Sequence, residues 1–241
     1  VGGLRAVPVG NIGVPILDAL RDPQGYDVLV VELSSFQLHR MGDISPFASV
    51  CLNIADDHLD WHGSPEAYRA AKAKVYQHTQ VACVYNRADA DTEHMVEEAD
   101  VVEGARAISF GLDAPPRSGF GVVEGILVDR GFHANRHAEA FELVTTDELA
   151  ERSLDAPHMV QNVLAASALA RSRGVEPAEI AQAVLSFHPD PHRAQRLGTM
   201  AGITWIDDSK ATNAHAADAS LRAFDRVVWV LGGLLKGVDL S

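Results

Sequence analysis

Cysteine is scarce in this chain. Its 241 residues include two, Cys51 and Cys83, each inside an apolar, strand-like run. They read as small core residues of a reducing compartment, not as a disulfide framework, and their spacing fits no zinc pattern. Long apolar runs are missing too, and no stretch reaches the length of a bilayer span. Cations are few: 20 Lys and Arg stand against 33 Asp and Glu, a formal net charge of −13. Such a surface repels nucleic acid and anionic lipid, because neutralising phosphate takes clustered Lys and Arg. A nucleic-acid partner and membrane insertion are therefore not expected. A phosphorylated small molecule is not excluded, since it needs only local N–H groups and one or two cations. The phosphate-loop pattern G-x-x-x-x-G-K-[ST] occurs nowhere in the chain.

What is present suits one large or two modest domains with a real core. Apolar runs rich in Val and Ile ("LRAVPV", "YDVLVVEL", "FASVCLNI", "VACVYN", "ARAISF") alternate with helical patterns ("VPILDALRD", "SPEAYRAAKAKVYQHT", "ADTEHMVEEA"). The alternation predicts an α/β, doubly wound sheet of buried parallel strands. Ser64 followed by Pro65 is a helix start, with Ser as N-cap and Pro at the first helical position. The segment "FGVVEGILVDRGFHANRHAEAFELV" changes to period two, which predicts a small antiparallel excursion. Two helices follow, "HMVQNVLAASALARSRG" and "PAEIAQAVLSF". Beyond the Pro-broken "HPDPHR" come a hairpin, "AQRLGTMAGITWIDD", a helix, "NAHAADASLRAF", and a strand, "RVVWVLGG". A domain boundary is expected near Pro191. The opening "VGGLRAVPVG" and the closing "GGLLKGVDLS" read as a piece cut from a longer protein, with a sheet edge left open beside "LRAVPV".

Three stretches could carry chemistry. "NIADDHLDWHG", Asn53 to Gly63, gathers acids and two histidines after a strand, where open α/β sheets bind ligands. His58 and His62 are four apart, but Leu59 stands where a helical zinc motif needs Glu, and Gly63-Ser64-Pro65 predicts a loop. A metal or phosphate site and a plain polar loop, with Asp57 capping and His58 hydrogen-bonded, both remain open. Glu32 ends a strand too apolar to hold a carboxylate without a partner. It is either a strand-end acid reaching solvent or a magnesium ligand in the same crevice. "IDDSKATN", Ile206 to Asn213, sets Ser209, Lys210 and Thr212 at a helix start, which suits an anion or simply caps the helix. "LGGLLKG", Leu231 to Gly237, is a glycine turn with Lys236 and is weak evidence alone.

In their order and spacing, "VELSSFQL", "LNIADDHLDWHGSPEAYRAAKAKVY", "HR", "DDSKATN" and "GGLLKG" resemble the Mur ligase family. "VELSSFQL" and "DDSKATN" match its D-glutamate-adding branch. The resemblance implies a Mur-ligase central ATPase domain over residues 1–191, lacking its phosphate loop. The first part of a Rossmann-like C-terminal domain would follow over residues 192–241. It implies a cytoplasmic, ATP- and Mg²⁺-dependent ligase of peptidoglycan synthesis that joins D-glutamate to UDP-N-acetylmuramoyl-L-alanine through an acyl phosphate. As a fragment without the N-terminal domain, the phosphate loop and the C-terminal end, the chain is expected to be inactive alone. By the same resemblance Glu32 and His58 match magnesium-site residues, and Lys72 matches a carbamylated lysine. Asn11 and Ser34, with His58 nearby, match contacts to the sugar nucleotide. Asn162 matches an adenine contact, and Met159 stands where the family usually has Asn. Arg193 and Asp208 match nucleotide contacts, Lys210 a lysine of the active cleft, and Thr212 and Lys236 residues that hold D-glutamate. Two alternatives are a non-catalytic, nucleotide-sugar-binding homologue and another amino-acid ligase of the Mur and folylpolyglutamate synthase superfamily.

Overall fold

The computed structural model describes residues 2–212, 214–222 and 224–233. Strand β1 (Ala6–Gly10) leads through helix α1 (Ile16–Leu20) to the parallel strand β2 (Val28–Glu32), and helix α2 (Ser35–Arg40) follows. Strand β3 (Ala48–Cys51) is followed by a one-turn helix α3 (Leu59–His62) and by α4 (Pro65–Ala73). Then come β4 (Ala82–Asn86), α5 (Ala90–Glu97), β5 (Arg106–Phe110), β6 (Gly119–Val123), β7 (Ile126–Asp129) and β8 (Phe141–Thr145). Helices α6 (Thr146–Ala150), α7 (Pro157–Ser172) and α8 (Pro177–Ser186) precede the hairpin β9 (Gln195–Met200) and β10 (Ile203–Asp207), and α9 (Ala214–Leu221) follows it.

The main sheet runs β3-β4-β5-β6-β7-β8. Its β3 to β6 pairings are parallel and its β6-β7-β8 pairings antiparallel, so the period-two segment extends the sheet itself. Strand alternation divides the core. Ala82 and Val84 of β4 join Ile108, Phe110, Phe120 and the α7 residues Leu164 and Ala168 on one face. Cys83 points the other way and packs with Cys51, Tyr76 and Met95. Both cysteines are free and buried, as expected. Helices thus cover both faces of the parallel half, α7 on one and α5 on the other. No helix among the described residues is long and apolar enough to cross a membrane.

Three expectations change. β1 and β2 form a two-stranded sheet of their own. Within that sheet each strand has only the other as its neighbour; in β2 Val30 is 55% and Val31 41% exposed, while Val7 and Val9 of β1 are buried. An apolar strand is buried only when something covers it, and β2 pairs on one edge alone. The one-turn helix α3 stands where a loop was predicted, with His58 and His62 at its two ends. Finally, "RVVWVLGG" forms no strand in its described residues, and Val228 is 93% exposed. β-propensity cannot make a strand without a neighbour to pair with.

One ion pair joins the antiparallel part of the sheet to α7. Asp129, fully buried at the end of β7, accepts from Arg171 Nε at 2.9 Å and from Phe132 N–H at 2.8 Å. Arg171 Nη1 also donates to the Val175 carbonyl at 2.6 Å. Removing one partner would strand a buried charge. Arg171→Met is therefore expected to cost about 3–5 kcal/mol. Arg171→Met with Asp129→Leu should recover most of that loss, because no charge is then left unpaired. Urea denaturation of both variants of the intact protein checks this.

Candidate functional site

The residues singled out from the sequence collect in two groups. The first lies where β1, β2 and β3 end. In "GNIG" the chain turns so tightly that side chains cannot fit at its glycines. A Cβ on Gly10 (φ 109°) would lie 2.3 Å from the Glu32 carbonyl, and one on Gly13 (φ 77°) 2.6 Å from that of Pro8. The turn brings Asn11 N–H to the Glu32 carbonyl at 2.8 Å and Asn11 Nδ2 to Glu32 Oε1 at 3.3 Å. Glu32 therefore has a partner, but it is exposed, not buried as its strand suggested. Ser34 N-caps α2 in a capping box with Gln37, so its hydroxyl is already engaged in holding the helix start.

The loop after β3 is pinned from below by residues that sequence reasoning did not select. Asn86, buried at the end of β4, donates through Nδ2 to the Leu52 carbonyl at 3.0 Å. Asp89, the N-cap of α5, accepts from Ile54 N–H at 2.6 Å. Tyr76 accepts from Cys51 N–H at 2.8 Å and donates to the Val84 carbonyl at 2.7 Å. A polar Asn closing an apolar strand was the one legible signal of this clamp. His58 then takes a left-handed backbone (φ 54°), and its N–H donates to the buried Asp57 Oδ1 at 2.9 Å. Left-handed non-glycine residues persist only where their surroundings hold them.

What holds the His58 ring is an aromatic cluster from α2 and α3. Phe36 meets His58 edge-on at 4.6 Å between centroids, Trp61 at 4.9 Å, and stacks on His62 at 5.7 Å. His62 Nε2 lies 3.0 Å from Ser35 Oγ. Partial burial lowers the pKa of His62, and the nearby His39 and His58 lower it further. Tyr68, in α4, is pushed up to about 12, first by burial and then by Asp57, Cys51 and Asp56. Ser64 caps α4 with Pro65 at its start, as predicted. Lys72 lies in the last turn of α4, close enough to the end of β3 to work against the burial that raises the Cys51 thiol. Among the described residues no three His, Cys, Asp or Glu side chains converge as a metal site.

The second group lies at the start of α7 and the turns around β9 and β10. Asn162 is exposed on α7. One turn earlier, His158 has a buried Nδ1 without a hydrogen-bond partner among the described residues. Burial lowers its pKa, and Asp208 works in the opposite direction. Asp208 is thus near enough to the start of α7 for its charge to be felt there. Asp208 Oδ1 accepts from Ala194 N–H at 2.9 Å, and Lys210 Nζ lies 4.0 Å from Asp190. Thr212 is exposed. Lys236 lies outside the described residues, as does Asn213.

The model of the Mur ligase middle domain matches residues 10–170. A UDP-N-acetylmuramoylalanine–D-glutamate ligase of Leifsonia xyli subsp. xyli is 64% identical over 100% of this chain, which covers 47% of that relative. The enzyme of the same name from Streptomyces avermitilis is 52% identical over 99% of this chain and 50% of its own. The chain thus spans about half the length of the curated relatives it matches. Among solved structures, a UDP-N-acetylmuramoyl-L-alanyl-D-glutamate–2,6-diaminopimelate ligase superposes with a TM-score of 0.61 at 22% identity. That match covers 81% of this chain and 43% of the other. The MurF ligase of Thermotoga maritima in complex with ADP gives 0.58 at 21% identity, covering 92% and 51%. With its α/β sheet, its polar strand ends and a family match over residues 10–170, this chain belongs to the Mur ligase family.

Proposed function

We propose that this chain is part of an ATP-dependent ligase that adds D-glutamate to UDP-N-acetylmuramoyl-L-alanine in peptidoglycan synthesis. The observation that carries the reading is the 64% identity, over the whole chain, to a relative named for that reaction. In this reading ATP phosphorylates the alanyl carboxylate, the amine of D-glutamate attacks the acyl phosphate, and phosphate leaves. Such chemistry asks the protein chiefly for positioning and charge neutralisation. Residues 1–191 act as the central domain and 192–241 as the start of the C-terminal one, working in the cytoplasm. Asn11, Ser34 and His58 face the sugar nucleotide. Asn162, Arg193 and Asp208 hold ATP, Lys210 reaches into the cleft, and Thr212 and Lys236 bind the carboxylates of D-glutamate.

Magnesium fits the first group only in part. Glu32 and His58 offer an oxygen and a nitrogen donor, but Lys72 brings a cation to the same end of the sheet. At ~4 Å an ammonium repels a divalent ion by roughly 8 kcal/mol at an effective dielectric of about 20. Carbamylation of Lys72 by carbon dioxide replaces that cation with a carboxylate-like anion and reverses the sign. So converted, Lys72 would hold Mg²⁺ with Glu32 and His58. The ion would neutralise phosphate charge, while the chain's own residues orient the substrates.

The direct test is amino-acid-dependent ADP release by the intact protein with UDP-N-acetylmuramoyl-L-alanine. D-glutamate should support turnover, and a preference for another amino acid, or none, would overturn the reading. Lys72→Ala should abolish activity, and short carboxylates such as acetate should restore part of it. Failure of rescue, with no added mass or density on the Lys72 Nζ of the wild type, would count against carbamylation. Lys236→Ala should raise the KM for D-glutamate at least tenfold, the loss of one charge-assisted bond of about 1.5–3 kcal/mol. The ATP requirement should move much less. Equal losses for both substrates would assign Lys236 to the nucleotide or the transition state instead.

A further inference from the structure

Side-chain clasps, not regular structure, hold the segment between α8 and β9. His192 and Ala194 both have left-handed backbone, at φ 69° and 46°, a conformation that costs a non-glycine residue free energy. The contacts that hold it reach the end of β10. His192 Nδ1 donates to Asp207 Oδ2 at 2.6 Å, and Ser209 N–H donates to the other oxygen of Asp207 at 3.0 Å. Ala194 N–H donates to Asp208 Oδ1 at 2.9 Å, and the His192 carbonyl accepts from Lys210 N–H at 3.1 Å. Gln195 Oε1 closes the turn by accepting from His192 N–H at 3.0 Å. The hydrogen bond from His192, and then that from the Ser209 N–H, bring the pKa of the Asp207 carboxyl down to about 2.

Arg193 stands between the two left-handed residues. It is exposed, and no partner engages its guanidinium among the described residues. The backbone on either side therefore sets where its Cα–Cβ bond points and where the side chain starts, and that backbone is set by the clasp. Asp208 commits one oxygen to Ala194, which leaves the other for a ligand hydroxyl. The pair itself was not selected from the sequence. "HPDPHR" and "IDDSKATN" lie apart in the chain, and only the β9–β10 hairpin brings them together.

We propose that His192 and Asp207 are positioning residues. They clasp the segment to the end of β10 and fix the direction in which Arg193 meets the phosphates of a nucleoside triphosphate. The proposal rests on reading Arg193 and Asp208 as nucleotide contacts, so its test separates the clasp from the nucleotide. His192→Ala and Asp207→Ala remove the bond. His192→Asn keeps a side-chain N–H near the position of Nδ1 and tolerates the left-handed conformation.

Amide hydrogen exchange of the intact protein reports the clasp through the Ala194 and Lys210 N–H groups. Both should exchange at least tenfold faster in the two alanine variants and near the wild-type rate in His192→Asn. Steady-state kinetics report its use. The KM for ATP should rise at least fivefold in the alanine variants, with kcat and the KM for D-glutamate within twofold, and His192→Asn should restore it. Unchanged exchange in both alanine variants would overturn the clasp whatever the kinetics. Faster exchange with an unmoved KM for ATP, or an equal rise for every substrate, would overturn the steering of Arg193. Failure of the intact wild type to bind ATP in calorimetry would remove the nucleotide reading, and the steering proposal with it.

Discussion

The buried pairing of Asp129 with Arg171 is the constraint on which the arrangement of this chain depends. Asp129 has no exposed surface, and Arg171 keeps only 8% of its side chain exposed. Two charges so placed must find each other, because neither can be left alone at acceptable cost. Asp129 closes the antiparallel part of the sheet, while Arg171 ends the helix that covers its parallel part. Their bond fixes where α7 lies along the sheet. Phe141, 5.1 Å beneath the guanidinium, fills the space that a looser pairing would leave open.

The candidate site follows a related economy. Its exposed polar groups are held by buried ones. Asn86 at the end of β4, Asp89 at the N-cap of α5 and Tyr76 just after α4 satisfy backbone groups at the end of β3 and in the loop that follows. The loop can then spend conformational freedom on a left-handed His58 wedged against Phe36. The same logic appears at Asn11, where two glycines permit an approach that no side chain would allow. It recurs at Arg193, which is presented between two residues held by their neighbours. In each place a strained or crowded backbone fixes where a side chain leaves the main chain, which is where positioning chemistry starts.

Much of this was legible in the chain itself, for reasons that are local. Ser64-Pro65 starts a helix because the cap and the missing N–H act within one turn. Apolar runs of the right length became β3, β4 and β5, and the period-two stretch became β6, β7 and β8. The two cysteines were read as core, and they are core. The family resemblance was legible too, because its motifs are short and keep their order. Other features were not. The burial expected of β2 did not follow, because it needs a neighbouring layer, which no local pattern specifies. "RVVWVLGG" has the composition of a strand, but no partner among the described residues.

By itself, then, the sequence determined which of the longer segments in the first two-thirds of the chain are helix or strand, how α4 starts and which family the chain joins. These depend on contacts a few residues apart and on motifs read in order. Only the tertiary structure decided that Phe36 would brace His58, that Asn86 would carry the loop beneath it and that His192 would find Asp207. Those partners are brought together by sheet order and helix packing, and their bonds depend on distances in space that sequence spacing does not encode.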